Sequence, residues 1–171
     1  MDEKPAQRLI HKREESYGES FTADLLEQYK LYVQSADNAS GRRIASNRYL
    51  LTLNAALVAA YGFQSAFTEQ VVFVAPLAVA GIALSLLWYS TIKSFRDLNS
   101  IKFKIIHEME TYLPAALYAY EWQLAEEGRG KSYWPTTHIE KWMPILFLVL
   151  HGMALAVSIA FAIYGLPDWA K

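Results

Sequence analysis

A histidine inside a long apolar stretch is the first candidate for chemistry in this chain. His151 lies between Met143 and Tyr164, a run that carries no formal charge. Ionisable residues in such segments often belong to ion pathways or proton relays. The simpler interpretation is a neutral imidazole that forms a hydrogen bond with a neighbouring helix. The sequence leaves both interpretations open.

Three polar residues at helical spacing lead into another apolar stretch. Arg43, Asn47 and Asn54 would share one side of a helix and are here called the polar line. Lipid offers no hydrogen-bond partner, so such a line must face protein or water. The polar line, with His151 as a fourth residue, therefore predicts either a pore lining or an interface between helices.

The remaining ionisable residues lack the arrangement that catalysis requires. His107, Glu108 and Glu110 do not match the ligand spacing of a zinc site or a facial triad. The sequence contains no Cys, P-loop, dinucleotide-binding fingerprint or GxSxG motif. We expect no catalytic residue, metal or organic cofactor, and we predict that the protein is not an enzyme.

Apolar stretches are the elements that must position these residues. They cover about 49–65, 71–91 and 143–164, and the second and third are long enough to cross about 30 Å of hydrocarbon. The first contains Asn54 and is shorter, but the loop to the second span has one charged residue, Glu69. The sequence therefore predicts an all-α membrane protein with three transmembrane helices.

Charge separates the chain into layers. Most of the 16 basic and 17 acidic residues lie before and between the spans, and a net charge of −1 argues against nucleic-acid binding. We predict a mobile polar tail over 1–20 and one helical membrane domain over 21–171. Its cytoplasmic layer would consist of 21–48 and 92–142.

Basic residues near the span ends predict the orientation. The group comprises Arg42, Arg43, Arg48, Lys93, Arg96, Lys102, Lys104 and Lys141. All of them flank the predicted inner ends of the spans, which the positive-inside rule assigns to the cytoplasm. The N-terminus is then cytoplasmic and the C-terminus lies outside. Trp88 is expected at the inner interface, where aromatic residues are common.

The first two spans are predicted to continue into a long cytoplasmic helical hairpin. No Pro interrupts the chain from Phe21 to Phe63, and the apolar stripe after Thr91 continues to Pro114. In an antiparallel hairpin, facing residues would have numbers that sum to about 140. This register predicts the ion pairs Arg43 with Asp97, Asp37 with Lys102 and Lys104, and Lys30 with Glu108 and Glu110.

Small residues on the spans predict close helix packing and self-association. Gly152, Ala156 and Ala160 lie four residues apart on the third span, and Gly81 and Ser85 do so on the second. Such spacing lets helices approach closely in lipid.

The third helix has a predicted start signal. Thr137 and Glu140 form a capping box just before it, and Pro144 follows and predicts a kink.

Several sequence blocks between residues 25 and 150 resemble a known family. They are LEQYKLYVQSAD (26–37), RRIASN (42–47), YLLTLN (49–54), SFRDLNSIKFKIIHEME (94–110), Leu113-Pro114, Tyr118, Glu121-Trp122 and WPTTHIE (134–140). In this order they resemble the small, RipA-like octameric membrane proteins of the bacterial inner membrane. The entry into the first span is also similar to the two-span SLATT effector domains, although the third span departs from that pattern. The resemblance implies a homo-octamer linked to growth under stress and in host cells.

Two functions from different classes follow from these features. One is a non-enzymatic, ring-forming membrane protein that is either channel-like or organises the bilayer. The alternative is a membrane-anchored adaptor whose cytoplasmic helices and Tyr118–Trp134 segment bind a partner protein. The expected partners are the lipid bilayer, other copies of the chain and, for the adaptor, a cytoplasmic protein.

Overall fold

The described part of the chain is helical. The computed structural model describes residues 9–10, 14–67, 74–128 and 140–164, and no strand occurs among them. The helices are α1 (Glu14–Tyr17), α2 (Phe21–Phe67), α3 (Val74–Glu110), α4 (Leu117–Leu124) and α5 (Trp142–Tyr164), with a 3₁₀ turn at Glu126–Gly128. The prediction of an all-α fold is confirmed for these residues.

Two helices are much longer than a membrane is thick. α2 has 47 residues and α3 has 37, which correspond to about 70 Å and 55 Å at about 1.5 Å per residue. Gly41 lies inside α2 without interrupting it. α3 ends at Glu110, after which the next three backbone N–H groups bond to carbonyls three residues back at 3.1–3.2 Å. This tight turn ends the helix before Pro114. A proline disfavours helical geometry at the residue that precedes it.

Two helices of the described residues are long and apolar enough to cross a membrane. They are α3 and α5, which contain the second and third predicted spans. α2 contains the first predicted span and does not belong to this group.

The start of α5 differs from its prediction. α5 begins at Trp142, so Pro144 lies in the first turn, where its missing N–H removes no bond within the helix. The expected kink at Pro144 is therefore not required. Thr137 lies outside the described residues, so the predicted capping box with Glu140 stays a prediction.

The first twenty residues contain one helical turn in a region predicted to be mobile. In α1, the Tyr17 ring packs edge-on against Phe21, and its hydroxyl donates to Asp24 Oδ2 at 3.0 Å. The mobility of the tail stays a prediction.

By its internal contacts the chain forms two compact units. The polar unit consists of Met1–Gly41 with Asp97–Trp134, and the apolar unit consists of Arg42–Arg96 with Pro135–Lys171. The sequence predicts one helical domain from residue 21 onward, and α2 and α3 contribute to both units.

Buried residues on the long helices recur at steps of three and four. On α3 the series in the apolar unit is Ala78, Gly81, Ser85, Trp88 and Ile92. On α2, Ala36 and Ala39 are buried three apart, and Leu50 and Asn54 four apart. This spacing is that of coiled-coil seams, and the small side chains allow close approach.

In the polar unit, the buried carboxylate of Glu110 joins three helices. Its Oε1 accepts the Tyr29 hydroxyl at 2.9 Å and the Tyr118 N–H at 2.8 Å, while Oε2 accepts the Ala119 N–H at 2.9 Å. Ala116 supplies no side-chain cap for α4, so Glu110 caps the start of this helix from α3. Burial and the bond to Glu110 raise the pKa of Tyr29 above its ordinary value, which keeps the hydroxyl a donor.

We expect Glu110→Ala to release α4. The variant loses three hydrogen bonds to a buried carboxylate, and a loss of about 2 kcal/mol corresponds to about 30-fold faster amide exchange over 117–124. Hydrogen exchange followed by mass spectrometry measures this. Glu108→Ala is the matched control, because the Glu108 side chain is exposed. Equal exchange of α4 in both variants would contradict the capping role.

Candidate functional site

Asn54, from the predicted polar line, is the centre of a buried polar cluster in the apolar unit. Its side chain is 0 % exposed. The Nδ2 group donates to the carbonyl of Leu50 at 2.8 Å, one turn earlier in α2. Its Oδ1 accepts the hydroxyl of Ser85 from α3 at 2.9 Å. Asn54 therefore connects two helices through the interior of the protomer.

His151 joins the cluster from α5 and is also 0 % exposed. Its Nε2 lies 3.1 Å from Asn54 Oδ1, and its Nδ1 lies 2.6 Å from the hydroxyl of Tyr61. An amide oxygen only accepts, so Nε2 carries the proton and Nδ1 accepts from Tyr61. A neutral imidazole satisfies both contacts. Asn54, Tyr61, Ser85 and His151 are called the polar cluster below.

The position of the imidazole depends on the missing side chain of Gly81 and on the ring of Phe147. A Cβ atom added to Gly81 would collide with the ring of His151, so the ring lies against the backbone of α3. On α5, Phe147 stacks on His151 with ring centroids 6.2 Å apart, and Phe147 also contacts Trp88 at 6.0 Å. A glycine is thus required at position 81, because the His151 ring lies too close to the α3 backbone for any side chain there.

Asn47, the middle residue of the polar line, bonds to a tryptophan. The indole Nε1 of Trp88 donates to Asn47 Oδ1 at 3.0 Å. Trp88 is only 2 % exposed and belongs to a hydrophobic core with Leu50, Ile92 and Phe147. The ring of Trp88 packs against neighbouring helices, and its predicted position at the inner membrane interface stays a prediction.

Arg43, the first residue of the polar line, pairs with Glu140. Arg43 Nη1 lies 3.5 Å from Glu140 Oε2, and both side chains are largely buried. This pair connects α2 with the residues just before α5. Asp97, the partner predicted for Arg43, belongs to the polar unit, and the pairing with it stays a prediction.

The other residues of the predicted register have the following contacts. Lys30 pairs with Glu27 on its own helix at 3.6 Å. Lys102 donates to Ser35 Oγ at 2.8 Å, with its ammonium 4.8 Å from the centre of the Tyr32 ring. Glu110 binds Tyr29 and the start of α4, as described above. Predicted pairs involving Asp37 and Lys104 stay predictions.

Hydrogen bonds between α2 and α3 provide a measure of their register within each unit. In the polar unit, Tyr29 bonds Glu110 and Asn99 donates to Ser40 Oγ at 3.2 Å. In the apolar unit, Ser85 bonds Asn54. In each of these three pairs the residue numbers add up to 139, whereas they add up to 137 for Ser35 with Lys102 and to 135 for Asn47 with Trp88; the predicted value is about 140.

The small residues of the spans divide into two sets. Gly81 and Ser85 on α3 are buried against the polar cluster. On α5, Ala156 and Ala160 are exposed, and a Cβ at Gly152 would meet nothing within 4 Å. Only the first set contributes to packing within the protomer.

Tyr61 is the cluster residue that the sequence interpretation missed. It lies seven residues after Asn54 on α2, just as Asn54 lies seven after Asn47. Extending the polar line by one such step would have included it. Its phenol resembles an ordinary span aromatic until the fold brings His151 to it.

The polar cluster holds α2, α3 and α5 together through hydrogen bonds. Each group is neutral in the arrangement described, and the chain of bonds ends at the Leu50 carbonyl through the Asn54 amide. An amide N–H does not pass a proton onward at ordinary pH. The Ser85 hydroxyl donates to an amide oxygen, which is not a base, and the Tyr61 hydroxyl donates to the imidazole Nδ1. The cluster thus satisfies its buried polar groups through bonds among α2, α3 and α5.

α3 and α5 have the length and composition of membrane-spanning helices. The chain belongs to the octameric membrane protein family, whose model matches residues 26–161. The family description indicates a homo-oligomer in a membrane. No curated protein and no solved structure matches the chain.

We expect Gly81→Ala to displace α5 from the cluster. The added methyl group would overlap His151, and overpacking of this kind costs about 1–3 kcal/mol. Thermal unfolding in detergent measures the loss as a lower transition temperature. Gly152→Ala is the matched control, because open space surrounds that position. Equal destabilisation by the two substitutions would contradict the arrangement.

Proposed function

We propose that this protein is a non-enzymatic, ring-forming integral membrane protein of the bacterial inner membrane that organises the bilayer. Family membership supports the membrane location and the assembly of identical chains. The protomer would contribute a membrane-embedded bundle made from its apolar unit. The polar unit would form a cytoplasmic layer of antiparallel helices.

The observation that carries this proposal is that the residues of the polar cluster form their hydrogen bonds with one another inside a single protomer. Asn54 and His151 are fully buried; Asn54 forms three hydrogen bonds and His151 forms two. Side chains that line a water-filled pore are accessible to water. The residues that would favour conduction therefore support packing of the helices instead.

A third membrane span in α2 is part of the proposal. Asn54 lies beside Ser85, which is in the middle of the apolar part of α3. A helix that bonds to the middle of a span must lie at the same depth in the bilayer. The Thr52 hydroxyl donates to the Arg48 carbonyl one turn earlier, so this polar group has its hydrogen-bond partner within α2.

The proposed topology places the N-terminus and residues 92–142 in the cytoplasm, and the C-terminus in the periplasm. Support comes from the basic residues at the inner ends of the spans. An odd number of spans is needed for the two termini to lie on opposite sides.

We expect alkaline phosphatase fused after Lys171 to be active and the same enzyme fused after Gly130 to be inactive. The enzyme folds only in the oxidising periplasm, so activity reports the side of the membrane. Green fluorescent protein fused at the same positions should give the reciprocal pattern. Phosphatase activity at both positions would contradict the three-span topology.

Planar bilayers that contain the purified protein should carry no unitary currents at neutral or acid pH, because Asn54, Ser85 and His151 are buried within the protomer. A known pore-forming peptide, added to the same bilayers, controls for their quality. Currents that His151→Ala alters would show that the cluster lines a conducting path and would contradict the proposal.

A membrane-anchored adaptor is the second candidate function. The exposed apolar residues of α4 favour it, because such residues commonly mark binding surfaces. Crosslinking in cells distinguishes the candidates, since an adaptor needs a stoichiometric cytoplasmic partner and a membrane organiser does not.

A further inference from the structure

The short helix α4 displays an unusually exposed apolar face. Leu117, Tyr120 and Leu124 follow helical spacing, and 68 %, 62 % and 67 % of their surfaces are exposed. No residue of α4 is buried. These three residues are called the α4 patch.

No residue in the described part of the chain covers the α4 patch. Helices shorter than about 12 residues are marginal in water, and α4 has eight. Among the contacts described above, Glu110 fixes only the start of this helix. A covering surface would explain why the sequence keeps apolar side chains along its whole length.

The lipid surface is a poor candidate for this cover. Interfacial helices bind anionic leaflets through Lys and Arg on their polar face. Residues 111–128 contain Glu121, Glu126 and Glu127 but no Lys or Arg. An anionic leaflet would repel this segment.

An apolar groove lies elsewhere in the same unit. Its volume is about 440 Å³, and its lining residues are Leu9, Gln28, Leu31, Tyr32, Ile105 and Met109. Leu31 is 59 % exposed on the wall of the groove, and Ile101 continues the apolar surface one turn along α3. Leu9 of the same chain forms part of the wall and leaves this volume open.

Charge around the groove complements that of the α4 segment. Lys102 lies against the Tyr32 ring, and Lys104 is exposed beside Ile101. Glu27 is already paired with Lys30, which leaves Glu108 as the nearby acidic side chain on α3. The exposed Glu121 of α4 would meet these two lysines.

We propose that the α4 patch of one protomer docks into the Leu31–Ile105 groove of the next copy of the chain. The inference rests on the proposed ring. A closed ring needs two different, complementary surfaces on each subunit, because its contacts run head to tail. The α4 patch and the groove provide such a pair within one unit.

Single cysteines test the docking directly, since the natural chain contains none. Leu124→Cys and Leu31→Cys are made in separately tagged chains, which are then co-expressed in membranes and oxidised. We expect disulfide-linked dimers that carry both tags. If the two chains mix at random in a ring, about a quarter of the head-to-tail contacts bring the cysteine at position 124 of one chain to the cysteine at position 31 of the next, because each position holds the required variant half of the time. Either variant expressed alone should give no dimer. Leu26→Cys replaces Leu31→Cys as the control, because Leu26 is exposed on another side of α2.

A second measurement uses assembly itself. Leu117→Ser with Leu124→Ser should raise the protein concentration at half-assembly at least about tenfold, because the patch loses its apolar contacts. Leu26→Ser should leave it unchanged. Both positions of the α4 patch are exposed, so the substitutions leave the protomer folded.

The outcomes separate this inference from the proposed function. An octamer by native mass spectrometry without mixed-tag dimers would overturn the docking and leave the ring intact. Dimers of Leu124→Cys alone, or its crosslinking to a different protein, would also overturn it in favour of a two-fold contact or an adaptor. A monomeric wild-type protein in lipid would instead overturn the proposed ring.

Discussion

A polar side chain among apolar helices must find its hydrogen-bond partners inside the protein, and Asn54 is where this constraint acts most strongly. Lipid cannot replace a lost partner, so an unpaired amide there would cost several kcal/mol. The oxygen of Asn54 accepts from a serine on α3 and a histidine on α5. One residue thereby fixes the relative position of three helices in the apolar unit.

The surrounding packing follows from that requirement. Asn54 Oδ1 reaches His151 only if the imidazole approaches α3 closely, and Gly81 provides the space. Phe147 then stacks on the ring, and Trp88 closes the core while its indole satisfies Asn47. In the polar unit, Glu110 acts similarly, because one buried carboxylate holds three donors from two other parts of the chain. Each unit thus depends on one acceptor shared by several donors.

The functional consequence is that polar groups of the apolar unit are used within the protomer, while apolar groups face outward. Val149, Met153 and Val157 of α5 are exposed on the single chain, as expected for surfaces that meet lipid or other subunits. Leu117, Tyr120 and Leu124 of α4 are exposed in the same way. In the proposed ring, apolar surfaces form the contacts between subunits, and the polar residues determine the shape of the subunit.

The sequence alone predicts the helical class, the long uninterrupted α2 and the two strongly apolar helices. These features follow from local composition, from the absence of Pro and from helical periodicity. All three are properties of residues that are close together in the sequence. The sequence did not determine that Tyr61 meets His151, that Arg43 meets Glu140 or that Trp88 is buried. Those contacts join residues up to 97 positions apart, and one helix alone gives no information about which of its faces meets another. Whether the polar line faces water or other helices could be read only from the fold, because partner geometry, and not residue type, satisfies a buried hydrogen bond.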